Sequence, residues 1–203
     1  AKADRDWLQN LLSGYTEAEV VGVGGAGIEA NESSLADRWR KRHASQHHGS
    51  KSKDRVDFLF GLNMSYRTES LRRIGGFSTR LRTNAEDMDI GFRLTHSGYR
   101  LAYHPDARVY HQRTDDLASL QRTIYNWYFW AFLVRQKNGL NPWSLAMGTA
   151  RRLIWTDLPP DVFLKRDLQM AWLDAKMTVV KLKALYAASR LNGIDWQQEL
   201  FDT

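Results

Sequence analysis

The chain has 203 residues, of which 43% are hydrophobic and 26% charged, an ordinary globular mix that excludes disorder as the main state. It has no cysteine, which excludes disulfide scaffolds, thiolate zinc sites and cysteine nucleophiles together and suits a reducing compartment. Lys and Arg total 29 against 23 acids, a net charge of +6, and no apolar run reaches the roughly 18 residues of a membrane span.

Asp4, Arg5 and Asp6 stand where the apolar stretch of a signal peptide would be, and the absence of an initial Met reads as a piece of a longer protein. Trp7-Leu8 and Leu11-Leu12 predict a short helix stopped by Gly14. Residues 19–23 predict a buried strand. Gly22, Gly24, Gly25 and Gly27 follow, but neither a dinucleotide fingerprint nor a P-loop has this spacing. Close backbone packing in a twisted strand is the favoured reading. Residues 33–42 predict a charged helix, and residues 43–55 a mobile loop with almost nothing to bury. Residues 56–60 predict a strand leading to Gly61. Thr68 is placed as the cap of a helix over 69–74, ended by Gly75-Gly76. Residues 87–97 predict another helix with Gly98 at its end, then two short strands, 100–104 and 107–110, around a Pro105-Asp106 turn.

From Asp115 the spacing becomes helical. Leu117, Leu120, Ile124, Trp127, Ala131 and Val134 predict one helix, and Asn141-Pro142 starts a second. Pro159-Pro160-Asp161 starts a third, with Leu164, Leu168, Trp172, Ala175, Val179, Leu182 and Tyr186 as its packing stripe and Asn192-Gly193 as its end. Trp127, Tyr128, Phe129, Trp130 and Phe132 fit a core, a partner interface or a membrane-surface seat, with core packing preferred.

Two features carry charge chemistry. Arg38, Arg40, Lys41, Arg42, Lys51, Lys53 and Arg55, with His43, His47 and His48, form a basic stretch. It suits nucleic acid, anionic headgroups, a phosphorylated substrate or plain solvation. Glu86-Asp87-x-Asp89 sets three carboxylates at a helix start. The helix dipole and an Asp89–Arg93 ion pair account for part of this; mutual repulsion calls for a metal, a substrate hydroxyl or an arginine as well.

One ordered set joins these features: Gly61-x-Asn63-x-x-x-Arg67, Gly75-Gly76-Phe77, Glu86-Asp87, Gly98-Tyr99 and a strand closing on His111. It resembles the second half of the catalytic domain of family 2 glycosyltransferases, which have the GT-A fold. The resemblance covers residues 7–113 and is most specific over 60–111. It implies an α/β, partial GT-A (Rossmann-like) nucleotide-diphospho-sugar transferase fold over residues 1–113, lacking the N-terminal donor-binding half. An α-helical region, residues 114–203, follows and matches nothing assignable. The family's nucleoside-holding βαβ units and Asp-x-Asp metal motif are not visible; Asp4-Arg5-Asp6 has that spelling but reads as helix-start acids with no strand before it.

The activity implied is inverting transfer of a sugar, of the hexosyltransferase type, from a nucleotide-sugar to an acceptor hydroxyl. These residues alone would be inactive. By the same resemblance Asp87 is the general base and Glu86 stands beside it, while Gly61, Asn63, Arg67 and Asp89 belong to the substrate site. Arg113 adds positive charge near the diphosphate, and His111 is a ligand of Mn²⁺ or Mg²⁺. The implied partners are a nucleotide-sugar donor and a glycan or lipid-linked acceptor of cell-envelope polysaccharide synthesis. The implied location is the cytoplasm, at the inner face of the membrane with peripheral contact to it, without a nucleic-acid partner. An open sheet edge predicts self-association. Two other readings stand beside this one. A nucleic-acid module would need aromatics interleaved on an exposed groove, whereas here they lie on helical stripes. A helical protein-interaction domain on an inert α/β part is the other.

Overall fold

A computed structural model describes residues 1–81, 84–157, 161–162 and 167–191. Two compact units divide the chain: Ala1–Ser33 with Arg40–Thr114, and Ser34–Trp39 with the residues from Asp115 onward.

In the first unit the glycine-rich run is the body of a strand, β2 (Val20–Glu29), parallel to β4 (Arg100–His111). The two-residue β1 (Lys2–Ala3) flanks β4 and β3 (Met64–Tyr66) flanks β2, both antiparallel, giving the order β1-β4-β2-β3. Glycine is required in β2 because neighbours press on its backbone. A Cβ at Gly25 would lie 1.9 Å from the Ala107 carbonyl oxygen, and one at Gly22 2.6 Å from the Tyr66 ring. Helices α1 (Trp7–Ser13), α3 (Thr68–Arg73) and α4 (Glu86–His96) complete the α/β part, and α2 (Leu35–His43) is divided between the two units at Arg40. One core cluster joins Leu11 of α1 to Val20, Val23, Ala102 and Ala107; another joins Ile90 and Leu94 of α4 to Val21, Leu59 and Leu101. A register shift between Val20 and Gly22 explains why Val20 and Val23 share a cluster while Val21 joins the other.

Several expectations are corrected. Residues 100–111 form one strand, and the Pro105-Asp106 turn is a bulge, where the partner of β2 jumps from His104 to Arg108. Residues 56–60 are not a strand. They cross the core irregularly, burying Leu59, and Gly91 of α4 packs so tightly on them that a Cβ there would lie 2.6 Å from Phe58 Cα. The strand is instead β3, just beyond Gly61. Residues 43–55 are held to the unit rather than loose. The Gln46 carbonyl accepts from Gly27 N–H (2.9 Å), Lys53 and Tyr103 exchange both backbone bonds (3.0 and 2.8 Å), and His48 packs on Phe58, Phe60 and Tyr103. Burial pushes the His48 imidazole below its ordinary pKa. Lys53 and Val56 bond β4 at Tyr103 and Leu101, and β1 bonds it near its other end, at Tyr110 and Val109. Thr68 is the first residue of α3, not its cap. A strand does precede Asp4, namely β1.

The second unit is helical: α5 (Leu117–Lys137), α6 (Ser144–Arg152), a π-helical turn (Leu153–Asp157) and α7 (Leu168–Ser189). Asp116 and Ser119 close a reciprocal capping box at the start of α5. The α5 stripe behaves as predicted, with Leu120, Ile124, Ala131 and Val134 buried. Phe132 and Leu133 pack with Leu185 and Ala188, and Tyr128, Phe129 and Trp130 close over them.

The α7 stripe does the reverse. Leu168, Trp172, Val179, Leu182 and Tyr186 are exposed, while Met170, Leu173, Met177, Ala184 and Leu185 fill the core. Two polar residues share that buried face: Asp174 accepts from the Trp39 indole N–H (2.8 Å), and Lys181 lies 5.3 Å from both the Trp39 and Tyr128 rings. The helix start at Pro159-Pro160, Leu164 of the stripe and the Asn192-Gly193 stop lie outside the described residues.

Candidate active site

The acidic motif sits at the start of α4, and the backbone there is unusual. Ala85, which leads into the helix, has φ 65° and ψ 12°, the one positive φ at a non-glycine among the described residues. An L-residue adopts this left-handed conformation at a cost of roughly 1–2 kcal/mol. Such strain persists where surrounding structure over-determines it, often at functional sites. Ala85 turns the chain so that Glu86 and Asp87 open the helix.

Asp87 is then fixed from two sides. Gly61 N–H donates to its Oδ2 (2.8 Å) and Met88 N–H to its Oδ1 (2.7 Å). Burial pushes its carboxyl above the ordinary value; the Gly61 N–H opposes this, and the charge of Glu86 adds to it. Two predicted site residues 26 positions apart, Gly61 and Asp87, are thus in direct contact. Tyr66, which sequence reasoning missed, stands nearby. Its hydroxyl is buried without a hydrogen-bond partner among the described residues, as is Glu86 Oε2. Burial raises the phenol's pKa and the Asp87 charge raises it further.

The other predicted residues divide. Asn63 is buried and fully engaged. Its Oδ1 accepts from the Trp7 indole (2.8 Å), and its Nδ2 donates to the carbonyls of Ala26 (3.1 Å) and Ala107 (2.7 Å). That leaves no amide proton for a substrate, so Asn63 braces the sheet rather than lining a pocket. Arg67 donates from Nε to the Val20 carbonyl (3.0 Å) and lies 5.0 Å over the Tyr15 ring, again a brace. Asp89 is fully buried and pairs with Arg93 (2.9 Å), whose guanidinium also donates to the carbonyls of Ile74 and Gly76. Through Arg93 it anchors the Gly75-Gly76 turn. Arg113 accepts from the Asn31 side chain through its carbonyl (2.9 Å).

His111 closes the last register position between the parallel strands, opposite Glu29. Both Glu29 oxygens lie 3.1 Å from His111 Nδ1, and Arg40 stands 3.7 Å behind Glu29, almost wholly buried. An ionised carboxylate only accepts, so Nδ1 is the donor of this bond and Nε2 is the ring nitrogen that Glu29 leaves unused. This is the arrangement that readies a histidine for a metal. Glu29 was not singled out from sequence; a lone acid ending a strand of valines and glycines was the available signal. Asp4-Arg5-Asp6 does not join it. Asp4 N–H bonds the Arg108 carbonyl (3.0 Å), and the chain runs from there toward Asp106, away from His111. The basic stretch is likewise divided: Arg40 faces Glu29, Lys41 pairs with Glu32, and Lys53 is bonded to β4.

The Glu29–His111 pair closes the C-terminal ends of the parallel strands β2 and β4. Leu62, next to Gly61, presses on Gly27, two residues before Glu29. In open α/β sheets this is the end at which ligands bind. The sequence matches glycosyl transferase family group 2 over residues 3–192. The chain belongs to that family. No curated protein matches it. The family match extends past residue 113, so the helical part of this glycosyltransferase is also family sequence, which the motifs of 60–111 did not reveal. The mixed α/β architecture is that of a partial GT-A-like fold. Members of the family use a nucleotide-sugar donor and an acceptor and generally depend on a divalent metal. Among the described residues no helix is long and apolar enough to cross a membrane.

Proposed function

We propose that this glycosyltransferase moves a hexosyl group with inversion, and that Asp87 is its general base. The observation that carries this reading is the clamp on Asp87: a carboxylate held by Gly61 N–H and Met88 N–H at the start of α4, its proton affinity raised by burial. A higher proton affinity makes the ionised form a better acceptor of the acceptor's hydroxyl proton. As the acceptor oxygen bonds to the anomeric carbon, the bond from that carbon to the diphosphate oxygen breaks and the electron pair leaves with the nucleoside diphosphate. The hydroxyl proton passes to Asp87. Tyr66 and Glu86 supply polar atoms whose pairing within the protein is incomplete, and substrate hydroxyls would satisfy them.

His111 would hold Mn²⁺ or Mg²⁺ through Nε2, with Glu29 fixing the ring. The cation would neutralise charge on the leaving diphosphate. Arg113 would add to that positive field. In this reading the nucleoside is held by sequence beyond these residues, and the acceptor is a glycan or lipid-linked saccharide met at the cytoplasmic face of a membrane.

The test is nucleoside diphosphate release from a panel of nucleotide-sugars with Mn²⁺ and a hydroxyl acceptor, using the natural full-length polypeptide. Asp87→Asn should lower kcat by about a hundredfold or more while leaving donor binding near wild type. Wild-type turnover in that variant removes Asp87 from the reaction.

A further inference from the structure

The exposed face of α7 is used by nothing described so far. Leu168, Trp172, Ala175, Val179, Leu182 and Tyr186 follow one another at intervals of four, three, four, three and four residues, so they form one stripe along the helix. All are exposed, Trp172 at 52% and Tyr186 at 62%. Beside the stripe runs a column of cations seven residues apart, Lys176, Lys183 and Arg190. Lys176 lies 4.7 Å over the Trp172 ring and Arg190 6.0 Å over the Tyr186 ring. The same composition recurs in the same unit at the end of α6, where Met147, Ile154 and Trp155 are exposed, Trp155 at 76%, beside exposed Arg151 and Arg152.

The sign of the charge is what selects the partner. The acids described from Ser144 to Leu191 are Asp157, Asp161, Asp167 and Asp174. Asp157, Asp161 and Asp174 are buried, and Asp167 is half-buried, its carboxylate accepting from Met170 N–H at the start of α7. The outer surface of α6 and α7 therefore presents indoles, a phenol, aliphatic chains and cations, with no exposed carboxylate among the described residues. Trp and Tyr favour a boundary where one end is apolar and the other wet, and long cations beside them reach outward to anionic groups. A partner helix meeting the stripe alone would leave Trp155, Arg151 and Arg152 unused.

We propose that the exposed face of α7, together with the end of α6, seats the protein on an anionic lipid bilayer, the aromatic and aliphatic side chains entering the headgroup boundary and the cations meeting lipid phosphates. This is interfacial binding and not a span. It rests on the membrane-face location proposed above but can fail separately from the transfer chemistry, since it uses no residue of the Asp87 or His111 groupings.

The experiment is co-sedimentation of the purified chain with vesicles of phosphatidylcholine alone or with about a third phosphatidylglycerol. Binding should appear on the phosphatidylglycerol vesicles, fall steeply as salt rises and be weak on phosphatidylcholine. Lys183→Gln and Arg190→Gln should each weaken it about fivefold. Trp155→Ser combined with Trp172→Ser should weaken it at least as much as both together. Both tryptophans are exposed, so a circular-dichroism melt checks that the fold is kept. The salt dependence of the unaltered protein needs no variant at all. No binding to either vesicle overturns the proposal, as does equal, salt-insensitive binding to both. So does a dimer in light scattering that Trp172→Ser dissolves, which would make the stripe a seam between two copies.

Discussion

Ala85 offers a perturbation whose size follows from the backbone. Its left-handed conformation costs an L-residue roughly 1–2 kcal/mol. Glycine pays none of this, but its greater freedom in the unfolded chain costs roughly 0.4–1 kcal/mol. Ala85→Gly should therefore stabilise the protein by about 0.5–1 kcal/mol. At about 2–4 °C per kcal/mol for a chain of this length, Tm should rise by roughly 1–4 °C. Ala85→Val should do the opposite, because a β-branched side chain is a poor fit to this region, and should cost more than about 1 kcal/mol. Thermal melts followed by circular dichroism at neutral pH measure both. The opposite signs are the informative part. If Gly lowers Tm, or Val leaves it unchanged, the helix start does not carry the strain described, and the account of how Asp87 is aimed loses its basis.

Other outcomes follow from the same geometry. Because burial raises the Asp87 pKa, its native form favours the proton; the associated stability is present below the ordinary 3.8 and lost as pH rises through the folded value. Asp87→Asn should thus have a higher urea midpoint than wild type at pH 7, and the gap should close in acid below that value. Glu29→Ala takes away the carboxylate 3.7 Å from buried Arg40 and the acceptor of the His111 Nδ1 bond. It should cost about 1–3 kcal/mol in urea unfolding, and Mn²⁺ affinity in calorimetry should fall about 10- to 100-fold. Gly25→Ala drives a methyl into the Ala107 carbonyl oxygen, a backbone atom that cannot swing aside, and should cost about 3 kcal/mol or leave no soluble protein. Gly148→Ala in α6 meets nothing within 4 Å and should stabilise by about 1 kcal/mol, as read from the same melts.

Local signals read well where one constraint dominated. Gly14, Gly75-Gly76 and Gly98 end helices as expected, the last three residues having positive φ. The glycine run was legible as close packing because no phosphate-loop spacing fitted it. The role of Asn63 was not legible. Its three partners lie 56, 37 and 44 residues away, and only the assembled sheet brings Trp7, Ala26 and Ala107 to one amide. No strand forms over 56–60 because, beyond the one backbone bond from Val56 N–H to the Leu101 carbonyl, the apolar residues there pack beneath α4. α7 misled for a different reason: it is apolar on two faces. Periodicity finds a stripe but does not choose between stripes, and Asp174 and Lys181 mark the buried face as polar although Trp39 meets both, by its indole N–H and its ring. Glu29 and His111 were each visible as residues, yet their pairing depends on a β2–β4 register that passes through a bulge.

The glycines of β2 also bear on the order in which the unit assembles. Gly22, Gly24, Gly25 and Gly27 together cost the strand about 2–4 kcal/mol relative to alanines, because so much backbone freedom is surrendered on extension. β2 has little means of holding itself extended. It becomes a strand only when Tyr66, Leu59, Ala107 and Leu62 arrive to fill the space its missing side chains leave. The centre of the sheet is then a late event in folding. Substitutions that weaken contacts to β2 should quicken unfolding far more than they slow folding, leaving low φ-values along the strand that ends at Glu29. The Glu29–His111 pairing would be completed near the end of the process, on a scaffold already formed by the helices around it.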